Sequence, residues 1–99
     1  MTTQPTLVTV SPEVLFQELD GEAILLNLQN EHYYSLKESG VRMWQLLAKH
    51  GNVAMVVKEL LEEYDVEEAS LNRDLAHLIA WLAERGLVKL VPRNSGSGI

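Results

Sequence analysis

The sequence predicts an α+β fold of the winged helix-turn-helix type, a three-stranded antiparallel sheet followed by three helices. Three observations predict it. An Asp20-Gly21 pair separates two strand-like segments, and a third, HYYSL, follows them. Apolar residues then recur at helical spacing in three successive stretches.

The first strand is EVLFQEL, Glu13 to Leu19, rich in β-branched and aromatic residues. Asp20-Gly21 suits a tight type I′ hairpin turn, because both central positions of that turn need positive φ. The second strand, EAILLNL, runs from Glu22 to Leu28. With Leu19 opposite Glu22, Gln17 meets Ile24 and Leu15 meets Leu26. Leu15, Leu19, Ile24, Leu26 and Leu28 then share one apolar face, the expected core face. A second turn is expected around Gln29–Glu31, with Asn30 in the left-handed region. The third strand is His32 to Leu36. It ends the meander, so one of its edges lacks a partner there.

The first helix opens at SLKE, where Ser35 and Glu38 have capping-box spacing. Val41, Trp44, Leu47 and Ala48 form its stripe, and Gly51 is a natural stop. Asn52 is placed to cap the second helix, with Val56 or Val57, Leu60, Leu61 and Tyr64 facing inward. Trp44 and Tyr64 read most simply as core. Asp65 and Glu68 have the spacing of a cap pair for the third helix. Its stripe is Leu71, Leu75, Leu78, Ile79 and Leu82, and Gly86 ends it. LVKLV, Leu87 to Val91, is a short strand that Pro92 stops. This divides the chain into an N-terminal extension (1–12), a folded domain (13–91) and a polar, disordered tail (92–99).

Composition excludes several function classes. With 99 residues, one domain is expected. Without cysteine there is no disulfide, thiolate metal site or cysteine nucleophile. The N-terminus lacks the basic cluster and apolar run of a signal peptide. No stretch approaches the ~20 apolar residues of a membrane span. A soluble, cytoplasmic protein is expected. The net charge is −6, from 8 Lys and Arg against 14 Asp and Glu. That balance opposes nucleic-acid and anionic-membrane partners, whose binding comes largely from cations on phosphates. The third helix carries Glu67, Glu68, Asp74 and Glu84 against Arg73 and Arg85, a poor composition for reading a major groove. An acidic winged-helix regulator is therefore the weaker alternative.

Catalytic signals are weak. His32, His50 and His77 include no i, i+4 pair, and HExxH, GxSxG, P-loop and GxGxxG motifs are absent. Glu62 and Glu63 are neighbours on a helix and point about 100° apart, so they form no dyad. No cofactor, metal or enzymatic activity is expected.

The third helix is less plain. Its apolar arc runs from Trp81 to Ala76 through Leu78, Leu71, Leu82, Leu75 and Ile79. That is roughly 220°, against the ~100° a surface helix needs. The other helices can cover the excess. Alternatively, part of the arc lines a groove beside the third strand, and such a groove binds peptides by strand addition.

LNLQNEHYYSLKESGVRMWQLL, followed by VVKELLEEYDVEEASLNRDLAHLIAWLAERGLV, resembles the family of the coenzyme PQQ synthesis protein D. The shared pattern is a Leu-Asn strand end, a turn, YYxL, a Gly-x-x-x-Trp-x-Leu-Leu helix, a YDV linker and a long helix ending in GLV. It covers about Val14 to Val91. One departure is Lys37, where relatives often carry Asn; it bears on the helix cap, not on the fold.

The resemblance implies a non-catalytic recognition element for ribosomally made, modified peptides. Such a domain holds the leader of a precursor peptide as a fourth strand, beside the third strand and against the third helix. Carried over, the peptide-binding edge is Glu31, His32, Tyr33, Tyr34, Ser35 and Leu36. The helix wall is Asp74, Leu75, Leu78, Ile79, Trp81 and Leu82. A free-standing domain resembles the recognition subunit of lasso-peptide systems. Its partners there are a separate cysteine-protease-type leader peptidase and a macrolactam-forming cyclase. The other reading within the class is a peptide chaperone for a radical-SAM enzyme.

Overall fold

The computed structural model describes residues 6–92. The elements run β1 (Thr6–Val10), β2 (Val14–Leu19), β3 (Glu22–Asn27), β4 (His32–Lys37), α1 (Glu38–His50), α2 (Val53–Glu63), α3 (Glu68–Glu84) and β5 (Val88–Pro92). β2, β3 and β4 form the expected antiparallel meander. β1 and β5 form a second, two-stranded sheet, with Val8 opposite Leu90. The sequence predicts no strand before Glu13, because the partner of β1 lies some eighty positions away in the chain. The tail beyond Pro92 falls outside the described residues.

The expected register holds: Leu19 faces Glu22, Gln17 faces Ile24 and Leu15 faces Leu26. Asp20 and Gly21 both adopt positive φ, 51° and 79°, as a type I′ turn requires. The expected core face does not hold. Leu15, Leu19, Ile24 and Leu28 are exposed, whereas Ala23, Leu25, Asn27 and Leu36 are buried. The helices cover the face that carries the small Ala23 and the polar Asn27. α1 packs against β3 and β4, with Phe16 stacked on Trp44 at 6.2 Å between ring centroids. In the turn after β3, Glu31 takes the positive φ, 62°, in place of Asn30. The Asn30 side chain instead accepts from the His32 N–H at 2.9 Å.

The caps divide. Gly51 closes α1 at φ 72°, and Asn52 caps α2 by accepting from Ala54 N and Met55 N. α3 ends in a Schellman motif: Gly86 N donates to Ala83 O and Leu87 N to Leu82 O. The two expected capping boxes do not form. β4 runs through Ser35 to Lys37, which becomes the N-cap of α1 with no side-chain cap, and Glu38 N donates to Gly21 O. Glu67, not Asp65, precedes α3. Trp44 is buried, but Tyr64 is 41% exposed and Ala48 lies outside the core. No helix among the described residues is long and apolar enough to cross a membrane.

Candidate functional site

β4 is an edge strand: in the sheet order β2-β3-β4 its outer side has no partner among the described residues. Its side chains alternate as a strand requires. Tyr33 and Ser35 stand on the outer face of the sheet, and Tyr33 is 73% exposed. Leu36 is buried and Tyr34 is half-buried, packed against the core. The two tyrosines thus point to opposite faces of the sheet.

The Tyr34 ring meets Trp81 of α3 edge to face, 5.5 Å between centroids and 82° between planes. This geometry suits the quadrupoles of both rings. His32 lies edge-on to Tyr34 at 6.5 Å. Leu78, one helical turn before Trp81, is also half-buried. The side of the wide arc that ends at Trp81 is therefore the side next to β4. At the other end of the arc, Ala76 is exposed.

The residues predicted for the site fall into three groups. Tyr34, Leu78 and Trp81 are half-buried, with Tyr34 and Trp81 in contact. Glu31, His32, Tyr33, Ser35 and Asp74 are exposed. Leu36, Leu75, Ile79 and Leu82 are core side chains, at most 8% exposed.

Two further residues shape this junction. Asn27, 2% exposed, donates Nδ2 to the Arg85 carbonyl at 2.9 Å and accepts from Gln29 N at 2.9 Å. It thereby ties the end of β3 to the end of α3. Arg85 lays its guanidinium 4.3 Å from the Trp81 centroid and 5.9 Å from that of Tyr34. Sequence spacing carried a signal for Arg85, since residues four apart share a helix face. Asn27 carries no such signal, because the expected core face has the opposite parity and leaves Asn27 pointing outward.

The junction offers backbone donors and acceptors along one edge, two aromatic rings and one cation. Among the described residues, no group of three His, Asp or Glu side chains could hold a metal ion. The strongest ion pairs lie elsewhere, between α1 and α2. Arg42 donates Nε to Glu63 at 2.8 Å, and His50 Nε2 lies 2.6 Å from Glu59. The hydrogen bond from His50 holds the Glu59 carboxyl below its ordinary range, and that from Arg42 does the same for Glu63.

The family model of coenzyme PQQ synthesis protein D (PqqD) matches residues 22–88. Two solved structures are similar. One is TbiB1 in complex with the TbiA(beta) leader peptide, with TM-score 0.77 and 28% identity, covering 89% of this chain and 99% of that one. The other is lasso peptide synthetase B1 complexed with the leader peptide, with TM-score 0.74 and 28% identity, covering 83% and 96%. No curated protein matches the chain.

Proposed function

The chain belongs to the family of coenzyme PQQ synthesis protein D, and on that footing we propose that it is a non-catalytic recognition element for the leader of a ribosomal precursor peptide. The leader adds as a strand to the free edge of β4, from Glu31 to Leu36, with its inward side chains against Leu78 and Trp81. Main-chain hydrogen bonds net about 0.5–1.5 kcal/mol each, so a few of them hold the register without supplying the whole affinity. The apolar wall of α3 adds the rest and the choice of sequence.

The observation that carries this reading is the pairing of an unpartnered strand edge with the half-buried Tyr34–Trp81 contact. The similar structures support it, because both hold a leader peptide. They also favour a lasso-peptide pathway over a chaperone role for a radical-SAM enzyme. In that pathway the domain hands its precursor to a separate cysteine-type leader peptidase and a macrolactam-forming cyclase.

The test is titration with the synthetic leader encoded beside this gene, followed by tryptophan emission. Trp44 is 3% exposed and Trp81 half-buried, so Trp81 should carry most of the change. A saturable one-to-one response is expected. A leader that leaves the emission unchanged and shows no binding heat would refute the assignment.

A further inference from the structure

Arg85 brings a cation to the end of the β4–α3 junction. Its Nη1 donates to the Trp81 carbonyl at 3.0 Å and stands 3.5 Å from the Glu84 carboxylate. Glu84 is 76% exposed, so that pair is weak and solvent-screened. Both contacts use the same nitrogen. Among the described residues, no oxygen is bonded to Nη2 or Nε. The guanidinium carbon lies over the Trp81 ring, 4.3 Å from its centroid. A guanidinium has five donors in a planar fork, and the Nε–Nη2 edge takes a carboxylate through two parallel bonds. The Trp81 contact and the bond from Nη1 to the Trp81 carbonyl already restrict the side chain, so less of its freedom is lost when it binds.

The position of this edge follows from the fold. The Arg85 carbonyl is held by Asn27, and Asn27 pairs with His32, the first residue of β4. The guanidinium reaches Tyr34, two residues further along the same strand. It therefore stands beside the His32–Tyr34 half of the free edge, in a chain whose net charge of −6 otherwise repels acidic ligands.

We infer that Arg85 is a specificity-determining residue that selects peptides carrying an Asp or Glu side chain opposite the His32–Tyr34 half of β4. This rests on the proposed peptide-binding function and adds the chemical class of one ligand position. The carboxylate displaces the weak Glu84 contact and accepts from Nε and Nη2, while Trp81 backs the guanidinium.

The experiment is a display selection on the full chain, with random 15-residue peptides presented as internal segments so that no free C-terminus competes. Enriched peptides are then synthesised with blocked ends, and amide exchange locates them on the protein. The expected result is that peptides protecting His32–Leu36 share one Asp or Glu position. Changing that residue to its amide should weaken binding on the order of tenfold, as loss of a charged hydrogen bond implies. On Arg85→Gln the acid and its amide should bind equally, and Arg85→Lys should restore only part of the preference. Thermal midpoints of both variants show whether each is folded. The acid-to-amide comparison on the wild-type chain stands even if neither is. Two results would overturn the inference alone: peptides at β4 with no enriched acid, or an acid preference that survives Arg85→Gln. Failure to enrich any peptide, or protection confined to other elements, would overturn it together with the peptide-binding function.

Discussion

The side chain of Asn27 donates to the backbone carbonyl of Arg85 at 2.9 Å, joining residues 58 positions apart at a site 2% exposed. This bond fixes where α3 ends relative to the sheet. The spacing between β4 and Trp81 therefore depends on it. Gly86 beside it has φ 73°, and a Cβ there would sit 3.4 Å from Asn27 Nδ2.

Removing the bond should be felt twice. Asn27→Ala leaves a part-buried carbonyl without its donor, which costs about 1–3 kcal/mol. Urea unfolding should show that loss as a lower midpoint at unchanged slope. Leader affinity should fall as well, because the end of α3 is no longer held.

The two faces of the meander should respond in opposite ways to truncation. Leu25→Ala, at a site 0% exposed, should cost about 2–5 kcal/mol. Leu19→Ser, at 57% exposure, should change stability by no more than about 0.5 kcal/mol. Equal losses in the two variants would contradict the assignment of the core face.

The meander's register was legible because the Asp20-Gly21 turn sets it locally. The choice of core face was not. EAILLNL carries apolar residues at both parities, and the leucine-rich face is the one that stays exposed. What decides is the packing of α1 over Ala23 and Leu25 and the tie from Asn27 to Arg85, both non-local. β1 was hidden for the same reason, since its partner is β5. Trp81 stood out because a seventeen-residue helix imposes a strict period on its side chains. Hydropathy does not single out Arg85, because its contribution depends on its position over the Trp81 ring.

Lys37 provides a gain-of-stability test. It occupies the N-cap of α1 in extended backbone, φ −120° and ψ 149°, with no side-chain cap. Lys37→Asn supplies an acceptor for an orphan N–H of the first turn and should stabilise the fold by about 0.5–2 kcal/mol. A thermal midpoint that does not rise would show that the strained entry at Glu38, φ 26°, keeps those N–H groups out of reach.

Acid should weaken the α1–α2 pairs. Glu59 and Glu63 have folded-state pKa values below their ordinary 4.5, owing first to the hydrogen bonds from His50 and Arg42. The unfolded chain therefore binds protons first as pH falls. The stabilisation is fully present above the ordinary carboxylate value and is lost as pH drops through the lowered folded values. Urea midpoints from pH 6 to pH 3 should fall less steeply for Arg42→Gln and His50→Gln than for wild type.

In the proposed function a leader adds as a strand to the free edge of β4. Amide hydrogen exchange, with and without the leader encoded beside this gene, tests it most directly. N–H groups of an edge strand that point away from their sheet gain acceptors only when another strand arrives. Slowed exchange is predicted at alternate residues within His32–Leu36, with little change along β2, the opposite edge of the same sheet. Unchanged exchange across His32–Leu36 at saturating leader, with protection appearing elsewhere, would rule out strand addition at β4.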